Sequence, residues 1–172
     1  ADLLAVYIVD LLLPEHTEAA LLQKFSDHAH IFATPDMRYV PVGHAPPLLP
    51  LRPVVVGFGP CGLFAALTLA QMGFKPIVLE RGKAVRQRTQ DTWGLWRKSV
   101  LNPQSNVQFG EGGAGTFSDG KLYSQIKDPR HLSRKVMQEF VKAGAPAEIL
   151  VEAHPHIGTF KLVGVVEHMR EQ

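Results

Sequence analysis

The 21 residues from Val54 to Phe74, VVVGFGPCGLFAALTLAQMGF, carry no charged side chain. A bilayer core needs about 20 mostly apolar residues in one helix, so length alone admits a membrane span. The interior of the run argues against one. Gly57, Gly59, Pro60 and Gly62 fall within six residues, where glycine weakens a helix and proline cannot donate its backbone hydrogen bond. The run therefore divides into two apolar pieces at GFGPCG. Val54 to Val56 are β-branched and suit a buried parallel strand. Pro60 to Met72 suit a buried helix, with proline in the first turn and Gly73 as the stop.

Strand, glycine turn and helix constrain the fold more than any other feature, and a second strand at 76–80 completes a βαβ unit. Its turn reads G-x-G-x-x-G at Gly57, Gly59 and Gly62, and Glu80 ends the second strand 23 residues after Gly57. In a dinucleotide-binding unit the first glycine permits the tight turn and the second lets the backbone approach a pyrophosphate. The third lets helix and strand pack closely, and an acid about 20 residues on binds ribose hydroxyls. The helix N-terminus, from Pro60 through Cys61 and Gly62 to Leu63, would face the phosphates. A carboxylate at Glu80 suits the free 2′-hydroxyl of NAD or of the adenosine in FAD, and Arg81 weakens the exclusion of a 2′-phosphate. Cys61 invites a redox reading. A small side chain at a crowded helix start is the better one, because the chain has no second cysteine for a disulfide relay.

A second glycine-rich segment, FGEGGAGTFSDGKL at 109–122, holds five glycines between Gly110 and Gly120. Thr116, Ser118, Asp119 and Lys121 add hydroxyls, an acid and a base. Successive amides in such a segment form an anion-binding concavity or lie against a planar ring. Binding NAD does not require it. A cofactor with a flavin ring does, because the ring is held far from the adenine end, and this favours FAD.

These segments, with HPHIGT at 154–159, resemble a family of uncharacterised FAD-dependent dehydrogenases within the broad FAD/NAD(P)-binding Rossmann-like superfamily. The similarity covers roughly residues 52 to 170, and GEGGAGTFSDGKL and HIGT are its specific part. The resemblance implies that Gly57, Gly59, Gly62 and Glu80 fall on the adenosine and pyrophosphate site. It places Gly113, Ala114, Gly115 and Thr116 beside the flavin or its ribityl chain. It also implies a much longer polypeptide, with a substrate domain and a returning acidic segment, so this chain reads as the N-terminal part of such an enzyme.

Composition permits this reading without selecting it. The 172 residues are 45% hydrophobic, and 18 basic against 16 acidic side chains name no partner. One cysteine allows no intrachain disulfide, which favours a reducing, cytoplasmic setting. The opening ADLLAVYIVDLLL lacks a basic leader and reads as a strand over 3–13 rather than a signal peptide. A threonine-capped helix at 17–25 and a strand at 37–42 would make a small βαβ-like unit over residues 1–45. Five prolines between Pro41 and Pro53 mark a linker at 46–52. The main domain then runs from 53 to 172, with helices from Gln87, Pro129 and Phe160 and a strand-like EILVE at 148–152.

Two weaker patterns are read blandly. The basic run from Arg81 to Lys98, with Trp93 and Trp96, reads as a solvated face with tryptophans over the sheet rather than a nucleic-acid surface. His154 and His156 lack the neighbours of a metal site; His156 lines a pocket or caps the next helix beside Thr159. The expected fold is thus α/β, a small unit followed by an incomplete three-layer Rossmann-like domain. The expected function is FAD binding in an oxidoreductase acting on a small molecule, with NAD(P)H as a possible redox partner. The alternatives are an NAD-binding dehydrogenase module and a non-catalytic remnant or interaction domain.

Overall fold

The computed structural model describes residues 3–172, and the chain divides into two compact units, Ala1–Met37 and Arg38–Gln172. Among its described residues the first unit contains one helix, α1 (Glu15–Lys24). The expected strands at 3–13 and 37–42 do not form, so the βαβ-like reading of this region is corrected. A strand needs a ladder partner and a covered face, and residues 3–12 have neither: Leu3, Ile8 and Leu12 are almost fully exposed. Nor does Thr17 cap the helix. Pro14 occupies that position, and its carbonyl accepts the amides of Thr17 and Glu18.

The second unit is mixed α/β. Its elements are β1 (Val54–Val56), α2 (Pro60–Gln71), β2 (Ile77–Leu79), α3 (Val85–Lys98), α4 (Leu132–Lys142) and α5 (Thr159–Glu171). Short 3-10 turns lie at Ala114–Phe117 and Ala147–Leu150. The two strands pair in parallel, Val54 with Ile77, Val55 with Val78 and Val56 with Leu79. The proline-rich segment is held to this unit by the Ala45 amide on the Met72 carbonyl and by Arg52 on the carbonyls of Lys75 and Pro76.

Alternation along the strands divides the sheet's two faces. Val55 and Val78 pack against a core drawn from Leu63 and Leu67 of α2, Ile149, and Leu162, Val165 and Met169 of α5. The other face is bare, with Val54 54%, Val56 82% and Leu79 55% exposed. Parallel strands in α/β proteins are ordinarily covered on both faces.

Helix ends follow local chemistry. Pro60 opens α2 with its fixed φ. Gly73, at φ +85°, closes it: its amide donates to Ala70 and that of Phe74 to Leu69, the Schellman pattern. Gly144 closes α4 in the same way. EILVE is the second correction: Pro146 leads into the 3-10 turn, Ile149 is buried, and no strand lies alongside.

Candidate functional site

The carboxyl ends of β1 and β2 are where ligands bind in open α/β sheets, and both glycine segments meet there. In the first, Gly57 adopts φ +90° and donates its amide to Leu79 at 2.7 Å, turning the chain off the strand. A Cβ on Gly62 would stand 2.0 Å from the Gly57 carbonyl oxygen and 3.4 Å from Val55, so helix and strand close on each other at this residue. Gly59 differs: the nearest atom to its missing Cβ is the Gly113 Cα, at 3.8 Å. The α2 N-terminus carries no side-chain cap, and Cys61 is exposed on its first turn. Helix-start amides of this kind suit an anion.

Glu80 is fixed at the end of β2. One carboxylate oxygen accepts the Phe58 amide and the other the Gly82 amide, both at 2.7 Å. An ionised carboxylate has about four acceptor positions, so ribose hydroxyls and these two amides can be served together. Arg81 turns outward, its guanidinium 5.9 Å from the Phe109 ring.

The second glycine segment lies across both strand ends. A Cβ on Gly82 would stand 2.3 Å from the Gly110 Cα. One on Gly113 would meet Gly59 at 3.1 Å and the Pro60 ring at 2.9 Å. Between these contacts the Gly112 amide donates to Phe58 at 2.7 Å and the Glu111 amide to Lys83 at 3.2 Å. Two loops some fifty residues apart in sequence thus touch backbone to backbone. Ala114 and Gly115 are exposed on this loop, whereas Thr116 is buried. Its hydroxyl faces Gly112, 2.2 Å from where a Cβ would be, so Thr116 supports the loop from within.

Three anchoring residues escape the sequence reading. Glu111 is 3% exposed; its carboxylate accepts the Val85 amide at the start of α3 and receives Arg170 of α5 at 2.9 Å. Arg88 is fully buried. Its guanidinium donates to the carbonyls of Asn106 (2.8 Å), Glu111 (2.7 Å) and Val107 (2.9 Å), and lies 4.8 Å from the Phe117 ring. Burial pushes it down to about 10, against the pull of Glu80 and Glu111. A signal for Arg88 was present: Val85, Arg88 and Thr92 share one helical stripe, and all three are buried.

The other cations of the basic run, Arg81, Lys83, Arg86, Arg97 and Lys98, are exposed, as expected of a solvated face, and several also have partners within the fold. Arg86 grips Glu167 through both oxygens and holds its carboxyl below the usual carboxylate range, chiefly by hydrogen bonding. Lys83 pairs with Asp91, and Arg97 lies over Trp93.

A cavity of about 490 Å³ opens beside this junction, lined by Phe58, Leu67, Val78, Glu80, Glu111 and Arg170 among others. Its size is that of a small-ligand pocket. HPHIGT also reaches the second loop: Lys121 bridges His156 in antiparallel fashion, and Gly158 donates to Asp119 at 2.9 Å. His156 donates from Nδ1 to the His154 carbonyl, and Gly158 rather than a histidine sits at the start of α5. Among the described residues no cluster of His, Cys, Asp and Glu is placed to hold a metal ion, and no helix is long and apolar enough to cross a membrane.

No family model matches the chain. An uncharacterized protein of Clostridium beijerinckii is 60% identical to it over 121 residues, a stretch that covers 70% of this chain and 22% of that relative. The chain therefore spans about a fifth of the curated relative it matches.

Proposed function

We propose that residues 53–172 are the FAD-binding portion of a flavin-dependent oxidoreductase, an incomplete three-layer Rossmann-like domain of the FAD-dependent dehydrogenase kind. The observation that carries this reading is the contact of the two glycine segments over the strand ends, at Gly59–Gly113 and Gly82–Gly110. A dinucleotide bound by the first turn alone would need no second loop. A cofactor extending past its pyrophosphate to a large ring would meet the Gly113 to Gly115 stretch next.

The residues fit that group. The uncapped start of α2 at Cys61 and Gly62 offers donors to the pyrophosphate, and Glu80 offers acceptors to the adenosine ribose. When bound, the flavin supplies hydride or electron transfer, and the protein orients it. NAD(P)H is the redox partner this reading expects, with a small molecule as the other substrate. A lone cysteine fits action in a reducing cytoplasm.

Titrating the purified protein with FAD, NAD and ADP-ribose tests the proposal. Tighter binding of FAD than of ADP-ribose, with a flavin absorbance band retained after desalting, is the expected result. Equal affinity for NAD and ADP-ribose without an FAD preference would make it an NAD module. A folded protein that binds none of the three would leave the interaction domain, a reading favoured by the bare face of Val54, Val56 and Leu79.

A further inference from the structure

Arg88 is a cation withdrawn from water, yet all three of its hydrogen-bond acceptors are main-chain carbonyls, two just before the second loop at Asn106 and Val107 and one within it at Glu111. Glu111, the nearest acid in that loop, contributes only its carbonyl and directs its carboxylate to Val85 and Arg170. The loop also wraps the side chain: a Cβ on Gly110 would stand 2.7 Å from the Arg88 Cδ. A glycine-rich segment has wide conformational freedom and needs an external pin to hold one shape. A guanidinium spreads five donors over three nitrogens in one plane and so meets three separated carbonyls at fixed angles, whereas the three donors of a lysine ammonium all leave from one atom.

We propose that Arg88 is the positioning residue of the second glycine loop, holding Asn106, Val107 and Glu111 so that Gly110–Gly113 stay seated on Gly82 and Gly59. Through that loop it sets the part of cofactor affinity that lies beyond the pyrophosphate. The second statement rests on the FAD reading above; the first does not.

The test uses the whole chain and the variants Arg88→Lys and Gly110→Ala, which strike the same contact from its two sides. Amide hydrogen exchange in the cofactor-free protein reads the loop directly. Exchange at Gly112 and Gly113 is expected to quicken on the order of tenfold or more in both variants, with α4 and α5 protected as in wild type. Unchanged exchange at these glycines overturns the proposal. So does loss of protection spreading through α4 and α5, which would make Arg88 an element of global stability. Titration then reads the function: in Arg88→Lys the FAD affinity falls about tenfold while that for ADP-ribose changes much less. Equal losses for both ligands overturn the link to the far half of the cofactor. If wild type binds neither ligand but the glycines loosen as expected, the loop assignment stands and the FAD reading fails.

Discussion

The two glycine segments are crowded by different parts of the chain. In the first, Gly62 is obstructed by Gly57 and Val55, residues of the same turn and of the strand leading into it. In the second, Gly110 is obstructed by Arg88 and Gly113 by Pro60 and Gly59, from elements formed much earlier in the chain. The anchoring acids differ likewise. Glu80 holds amides beside its own strand end, whereas Glu111 joins the start of α3 to Arg170 near the end of α5. Gly57 and Gly62 have their reason within the first motif, whereas Gly110 and Gly113 take theirs from tertiary contact.

Substitutions separate these roles. Gly62→Ala places a methyl 2.0 Å from a backbone oxygen that cannot move without unmaking the turn. A loss of roughly 4 kcal/mol or more is expected in urea unfolding; a mild loss would mean that helix and strand are not so closely packed. Glu111→Gln should cost about 2 kcal/mol, because the buried carboxylate that accepts the Val85 amide and meets the half-exposed Arg170 loses its charge. Glu80→Gln, in a half-buried place with two amide donors, should cost less, and the reverse order would undo the contrast between the anchors. Gly113→Ala meets both a left-handed φ of +67° and the Pro60 ring at 2.9 Å, for a cost of about 2 kcal/mol by the same assay.

Gly59→Ala sharpens the comparison most cleanly. Its φ of −74° is ordinary, and its new methyl would find only normal contact with Gly113. Stability should change by less than about 1 kcal/mol, while a bulkier residue there should abolish dinucleotide binding in titration. Unchanged binding would remove the first turn from the site.

The smallest effect concerns pH. Arg86 lowers the Glu167 carboxyl below its ordinary value, so the pair contributes stability above the unfolded carboxylate range, near 4.3. That contribution is lost as pH falls through the lowered folded value. The difference in melting temperature between wild type and Arg86→Gln should be small at neutral pH, as for any exposed pair, and vanish in stronger acid. A difference that persists in acid would show that packing, not charge, joins α3 to α5 here.

Much of this was legible in the residues because the governing interactions are local. The β-branched run, Pro60 at a helix start, Gly73 at a helix end and the spacing from Gly57 to Glu80 each follow from chemistry within a few residues or one βαβ unit. The failures share a cause. Residues 3–13 and EILVE have strand composition, but a strand exists only where another strand offers its hydrogen bonds, and among the described residues none does. Arg88 looked like one more cation on a basic face, since charge alone does not show which side of a helix is buried.

The sequence by itself determined the first turn, its helix and the acid that closes it, because all three belong to one βαβ unit whose parts follow at a regular spacing. Only the tertiary structure decided that the second glycine loop lies across the strand ends, pinned by a buried arginine and a buried glutamate. Contacts that reach outside that βαβ unit, such as those of Arg88 and Arg170 with Glu111, depend on how helices pack around the core, and no spacing within the unit encodes them.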